Sequence, residues 1–439
     1  MEELSRSLAE LKQTFRSGKT KGAAWREAQL RALLKLVEEN ETQIFEALKR
    51  DLGKHPVEAY RDEIGVVKKS AEHSLAHIKK WMAPKKGQIP LLLFPSKGEI
   101  LPEPLGTVLI FGSWNFPISL TLDPLIGAIS AGNTVVLKPS DLAPACSSLL
   151  SRIIPLYLDT KAIKIIEGGS NVAEILLEQR WDKIFFTGSP RVGSIIMSAA
   201  AKHLTPVTLE LGGKCPVILD SLSGSDLKAA VKRIAGGKWG PCAGQACIGI
   251  DYVLVQQKFA PVLVELLKNC IKTIIEPTIL LDPPLDAQIM SEEIFGPLLP
   301  IITLDKIEES IDFISERPKP LTIYAFTKNK RFKDQILQET SSGSVTFNDT
   351  LVQFICDGLP FGGVGQSGFG RYHGKFSFDT FSHEKAVLHR SFFLELEPRY
   401  PPWNDFKLEF IRLAYSFNYV GLLLLLLGLR RRFARNLNL

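Results

Sequence analysis

The sequence predicts a parallel, doubly wound α/β fold, and three observations carry that expectation. First, from position 105 short apolar runs rich in β-branched residues alternate with helical runs: GTVLIFGS, TVVLKPS, IKIIEGG, DKIFFTGS and TPVTLELGG read as successive strands. Second, the unusual residues gather where these strands end. Trp114 and Asn115 (SWNFP) follow the first strand; Lys138, Ser140 and Asp141 follow the second; Gly188, Ser189 and Gly193 (TGSPRVG) follow the fourth, and Glu210 closes the fifth. Open parallel sheets bind ligands at that edge. Third, 439 residues at 45% hydrophobic and 23% charged are enough for two or three domains around a large core.

Taken in order, residues 2–82 read as three amphipathic helices with apolar positions at three-to-four spacing, a scaffold. Residues 83–104 are proline-punctuated and extended, with Ile89, Leu91, Leu92, Leu93 and Phe94 between lysines, which suits an arm that leaves the domain to pair with another subunit. The turn TGSPRVG is neither a Walker loop nor a GxGxxG fingerprint; it reads as an ordinary strand-to-helix turn or as helix amides offered to a pyrophosphate. A carboxylate ending an apolar strand, as Glu210 does, is costly unless it is paired or functional.

The stretch GGKWGPCAGQACIGID sets Cys247 in a turn of small residues, where Ala243, Gly244, Ala246 and Gly249 let backbone and substrate approach the sulfur. A helix starting there would turn its amide end to the thiol and favour the nucleophilic thiolate. The stretch alone leaves open that Cys247 is a buried small hydrophobe.

The net charge of +6 is modest and falls partly on Arg430, Arg431, Arg432 and Arg435, with no basic stripe interleaved with aromatics, so nucleic acid is not an expected partner. Six cysteines lack paired metal-ligand spacing, no metal is expected, and the N-terminus is too charged for a signal peptide; a reducing compartment follows. After position 385 come a strand-like AVLHRSFFLEL, a break at Pro398, Pro401 and Pro402, and a leucine-rich tail. The uncharged run 413–429 would be about 26 Å long as a helix against a hydrocarbon core of about 30 Å, a marginal span. The competing readings are a monotopic anchor, with Trp403, Tyr415 and Tyr419 at the interface and the arginines on acidic headgroups, or a helix packed at a subunit surface.

The stretches LGTVLIFGSWNFP, AGNTVVLKPSD, FFTGSPRVG, LELGGKCPVI, GQACIGIDY, EEIFGPLLPI, SGSVTFND and PFGGVGQSGFGRYHG occur in the order found in the aldehyde dehydrogenase superfamily, which the chain resembles over nearly its whole length. The short N-terminal region, the LLP after EEIFGP and the hydrophobic tail look most like the class 3 branch, which includes the fatty aldehyde dehydrogenases. The resemblance implies a Rossmann-like NAD-binding domain (1–82 and 105–210), an oligomerisation arm (83–104), an α/β catalytic domain (211–384), a C-terminal arm and linker (385–409) and a membrane-anchor tail (410–439). It implies oxidation of medium- to long-chain aldehydes, a homodimer, and a place on the cytosolic face of a membrane, the endoplasmic reticulum first, with a cytoplasmic protein as the alternative.

By the same resemblance Cys247 is the nucleophile that forms a thiohemiacetal, Asn115 with the Cys247 amide stabilises the oxyanion, and Glu210 activates the water that releases the acid. Lys138 is placed on the adenosine ribose hydroxyls beside Ser140 and Asp141, where class 3 commonly carries the longer Glu. An acid there accepts a ribose 2′-hydroxyl and repels a 2′-phosphate, which favours NAD and leaves NADP open. Ser189 and the turn from Gly188 to Gly193 resemble the pyrophosphate site, Trp114 belongs to the same implied cofactor set, and Glu293 with Phe295 resembles the nicotinamide-ribose clamp.

Two departures stand out. Cys247 and Glu293 are 293 − 247 = 46 positions apart, clearly fewer than in the family, as if about 30 residues or more, one supersecondary unit, were missing. The helical FAPVLVELLKNCIKTII runs into EPTILLD without a Gly or Asn stop, so the join is expected at Ile275–Glu276 and the catalytic domain is expected to be loosened. That opens a second reading, a silent membrane-tethered dimerisation partner; a third is ester or thioester hydrolysis by Cys247 and Glu210 without a cofactor. The second departure is Cys242, five positions before Cys247, close enough in sequence for an inactivating disulfide if the turn allows it.

Overall fold

The computed structural model describes residues 2–271, 277–393 and 395–429; the expected join at Ile275–Glu276 and the arginines from Arg430 on lie outside the described residues. The chain forms two compact units, one of Met1–Met82 with Glu103–His383, the other of Ala83–Pro102 with the chain from Glu384 on.

The first unit begins with more helices than the three expected: α1 (Glu2–Arg16), α2 (Ala23–Glu39), α3 (Glu41–Leu52), the short α4 (Pro56–Ala59), one π turn (Tyr60–Ile64) and α5 (Gly65–Met82). The extra breaks have local causes. Asn40 ends α2 and opens α3, and Gly53 closes α3 in the left-handed region at φ 68°, which a residue with a Cβ resists. Leu30, Leu33, Ile44, Ile64 and Val67 form the buried stripe of this layer.

The second unit opens with β1 (Lys85–Gly87) and β2 (Lys97–Pro104), antiparallel with Lys85 opposite Ile100, and the strand Ser382–His389 completes a three-stranded sheet. That last strand stops at His389, short of the full AVLHRSFFLEL run. The tail is two helices, Asp405–Tyr415 and Tyr419–Leu426. Between them Phe417 takes φ 54°, and the Asn418 side chain accepts from the Gly421 amide at 2.7 Å, which starts a new helix instead of continuing the old one. The break lets Phe410, Leu413 and Leu422 bury against each other with Leu92 of the arm. A single spanning helix over 413–429 is therefore corrected: no helix among the described residues is long and apolar enough to cross a membrane.

The body of the first unit holds two six-stranded sheets. The first contains β3 (Thr107–Phe111), β4 (Thr134–Lys138), β5 (Ile163–Ile165), β6 (Lys183–Gly188) and β7 (Val207–Leu211), alternating with α6 (Ser119–Ala131), α7 (Pro144–Tyr157), α8 (Ser170–Leu177) and α9 (Pro190–Ala201). Its order is β5-β4-β3-β6-β7, all parallel, with Gly368–Phe369 added antiparallel on β7. The chain runs outward from β3 to β5, then returns to lay β6 on the other side of β3, so a topological switch point opens between β3 and β6.

The second sheet contains β8 (Pro216–Leu219), β9 (Tyr252–Gln256), β10 (Thr278–Leu281), β11 (Leu298–Leu304), β12 (Thr322–Phe326) and β13 (Ser344–Phe347), with α10 (Gly224–Trp239) and α11 (Ala260–Ile271) between its first strands. The order is β10-β11-β9-β8-β12-β13, again all parallel. Five of its strands are largely covered or inside the sheet, while β10 is a thinly covered edge with Leu281 52% exposed.

Candidate active site

At the switch point the ends of β3, β4 and β6 present their side chains together. Lys138, the last residue of β4, is buried up to its ammonium, which lies 3.1 Å from Asp141 Oδ1; Asp141 is about half exposed. Ser140 serves the local turn, its hydroxyl accepting from the Leu142 amide at 3.3 Å. Ser189 caps α9, accepting from the Val192 amide at 3.4 Å. Gly193 follows in the first turn, where a Cβ would stand 2.9 Å from Leu211 Cδ2, so the helix sits tightly on β7 only without a side chain. A capped helix start seated this closely on the sheet beside a lysine suits a dinucleotide's pyrophosphate and ribose. The residue types and geometry fit NAD(P).

β7 carries Glu210 and continues through Gly212 and Gly213 into β8, which joins the two sheets directly. Glu293 turns its carboxyl to this junction, so close that a Cβ on Gly212 would lie 2.0 Å from Oε2. Burial pushes the Glu293 carboxyl up to about 8, against a bond from the Gly213 amide that pulls it back. Phe295, at φ 47°, meets Trp114 edge-on with ring centroids 5.4 Å apart, so the two aromatics expected at the cofactor do come together.

Cys247 lies in a turn between α10 and β9, its carbonyl accepting from the Cys215 thiol at 3.3 Å. No helix starts there, which corrects the expected stabilisation of the thiolate. Burial, then the nearby Glu293 and Glu210 carboxyls, pushes the thiol up to about 12, while the amides of Ile248 and Cys247 pull the other way. Cys242 and Cys247 are both free, and the Cys242 thiol turns to Gln245 Oε1 at 3.7 Å, so the disulfide that the sequence left open is not formed.

Cys247 and Glu210 line one cavity of about 280 Å³ whose other walls include Phe116, Leu120, Phe354, Phe361 and Tyr372. Both Glu210 carboxyl oxygens and the Thr187 hydroxyl, its neighbour across the β6–β7 register, are buried without a hydrogen-bond partner among the described residues. Burial holds the Glu210 carboxyl well above the ordinary range. Asn115 is 2% exposed; its Nδ2 donates to the Gln245 carbonyl at 2.9 Å, two residues before Cys247, and its Oδ1 has no partner. Of these unpartnered groups, Glu210 and Thr187 line the apolar cavity, where buried polar atoms await a polar ligand or water.

Sequence reasoning missed part of this cavity. Arg61, Asp62 and Val66 line it from the region read as scaffold, because the π turn at Tyr60–Ile64 shifts the helical register and turns adjacent residues to different surroundings. The signal available was the charged run RDE inside an otherwise amphipathic pattern. Among the described residues no group of His, Cys, Asp and Glu could hold a metal ion.

The aldehyde dehydrogenase family model matches residues 2–275 and 271–387. The chain is 55% identical to aldehyde dehydrogenase family 3 member F1 of Arabidopsis thaliana over 479 residues, covering 98% of this chain and 99% of that protein. It is 39% identical to family 3 member A2 of Rattus norvegicus, covering 97% of each. Among solved structures, the substrate-bound AldH of Staphylococcus aureus superposes with a TM-score of 0.90 at 38% identity, covering 94% of this chain and 99% of that one. The chain thus belongs to the aldehyde dehydrogenase family, on its class 3 branch, and its reaction is the NAD(P)-dependent oxidation of an aldehyde to a carboxylic acid.

Proposed function

We propose that Cys247 attacks an apolar, medium- to long-chain aldehyde in the cavity, with Asn115 as oxyanion donor and Glu210 as the base of the second half-reaction. The observation that carries this is the single apolar cavity containing both the thiol and a carboxyl with no partner of its own. Burial pushes the thiol up to about 12, so the proton it loses as the carbon–sulfur bond forms passes to the Glu210 carboxylate in the same cavity, which hands it to solvent before the second half-reaction. The Asn115 amide is placed to leave the Gln245 carbonyl for the new oxyanion, joined by the Cys247 amide. Lys138, Ser189 and the turn from Gly188 to Gly193 would hold NAD(P), which when bound would supply the acceptor for the hydride of the thiohemiacetal carbon. Glu210 then takes a proton from water, which attacks the Cys247 thioester; the thiol is restored and the acid released.

The test is NADH production from a fatty aldehyde by wild-type protein and Cys247→Ala. The reading expects turnover that lengthening the alkyl chain improves through KM, and none in the variant; turnover in Cys247→Ala refutes the nucleophile.

We also propose that the tail lies on a lipid surface instead of crossing it. Tyr415 and Val420 are 84% and 71% exposed, and Trp403 lies exposed nearby, a pattern suited to an interface. Co-sedimentation with anionic vesicles should fall on Val420→Asp; unchanged binding removes the tail from this role. Homodimer formation through the arm is the matching proposal for the exposed strands of the second unit, and sedimentation equilibrium decides it.

A missing internal segment near position 275 is likewise our reading. Two matches meeting at 271–275 support it, as does the Arabidopsis alignment: 479 − 439 = 40, so at least 40 of its positions face no residue of this chain. Insertion of a family-like helix and strand there should raise the melting temperature; no change would count against a lost unit.

A further inference from the structure

Beneath the Asn115 turn lies an ion pair that the proposed mechanism does not use. Lys54, in the loop after α3, and Glu63, in the π turn, are 1% and 0% exposed at their side chains, with Nζ and Oε1 2.6 Å apart. The Lys54 ammonium also donates to the Asn115 carbonyl at 2.8 Å and sits 4.1 Å from the Phe116 ring centroid. Glu63 Oε2 accepts from the Ile118 and Ser119 amides at 3.1 and 2.8 Å, at the start of α6. Burial alone raises the Glu63 carboxyl, and the lysine and amides pull it back; with both oxygens accepting, the ionised form is the one the donors fit.

The pair therefore grips residues 115–119 at both ends, by the carbonyl of Asn115 and by the amides of Ile118 and Ser119. Next to it, Glu58 Oε1, on α4 just before the π turn that carries Glu63, accepts from the Cys242 amide at 2.6 Å and ties that helix to the nucleophile loop. An ion pair removed from water is a poor way to gain stability, since desolvation offsets much of the attraction and apolar replacements are often as stable. Its advantage is directional: ammonium and carboxylate fix where the backbone groups they bind must lie.

We infer that Lys54 and Glu63 are positioning residues that set the Asn115 turn, and through it the side-chain amide, against Cys247. This rests on the proposed oxyanion role of Asn115, and the test keeps the two apart. Lys54→Met/Glu63→Gln removes both charges while keeping volume and an acceptor for the α6 amides. It should lower kcat between about 10- and 100-fold, the scale of a displaced catalytic group, with KM for the cofactor nearly unchanged. In an Asn115→Ala background the same double change should alter kcat less than about threefold, because there is no longer an amide to position. Lys54→Arg, which keeps the charge and the fold but moves the donor off the Asn115 carbonyl, should give an intermediate loss that also vanishes in that background. Equal losses in both backgrounds, or losses that follow the melting temperature, would mean a purely structural pair. Full activity of Asn115→Ala by itself would instead sink the oxyanion role.

Discussion

In the first six-stranded sheet every residue of β3 and β4 is buried, whereas in the second sheet β10 hangs on β11 alone and shows Thr278 and Leu281 to solvent. The two sheets share parallel pairing of their main strands and switch-point topology, and β10, in the segment between Cys247 and Glu293, is a more exposed edge than β5. Glu210 is on β7, Cys247 precedes β9, and Glu293 precedes β11, so none of the three side chains of the proposed site comes from β10 itself. The expectation of a loosened catalytic domain therefore bears first on the β10 edge, and stability measurements test it.

The contrast can be broken most sharply by stability measurements. Ile218→Ala, in the fully buried centre of β8, should cost about 2–5 kcal/mol in urea unfolding, since it leaves a cavity where Ile218 is completely covered. Leu281→Ala, at the β10 edge, should stay within about 0.5 kcal/mol. Similar costs at the two positions would show that the edge is as well packed as the centre. Hydrogen exchange should follow the same order, with β10 amides exchanging through local opening before those of β8 and β12.

A pH series sharpens the comparison at the junction. Glu293 has an ordinary value of 4.5 when unfolded and about 8 when folded, so the native state keeps a proton that the unfolded state loses in between. Its contribution to stability is greatest below pH 4.5, declines as pH rises to about 8, and is flat beyond. Glu293→Gln removes that slope: its melting temperature should exceed that of wild type at pH 9 and converge with it toward pH 4.5. A gap that does not change with pH would place the carboxyl in water.

The strands around the switch point were legible because β-branched apolar runs such as TVLIF and TVVLK have few alternatives to burial in a parallel sheet. Cys247 and Glu210 stood out because small residues around a thiol, and an acid at the end of an apolar strand, need a reason. What stayed hidden depends on contacts distant in sequence. Lys54 and Glu63 are nine positions apart, one in the loop after α3 and the other in the π turn, and no periodic pattern announces their contact. The helix end expected at the thiol is absent because the chain turns at Cys247, and its burial depends on distant residues that a local pattern does not reveal. In the tail the signal was present: Asn418 before YVGLLLL is a helix start, and it was overridden by the length of the apolar run.

The most direct test of the central claim, that one apolar cavity divides the reaction between Cys247 and Glu210, is rapid mixing of Glu210→Gln with a fatty aldehyde and NAD, followed by NADH absorbance and intact mass. The account predicts a burst of about one NADH per site, then a steady rate reduced by about 10²- to 10⁴-fold, with the acyl group retained on Cys247. Wild-type steady turnover without an accumulated acyl adduct would contradict it.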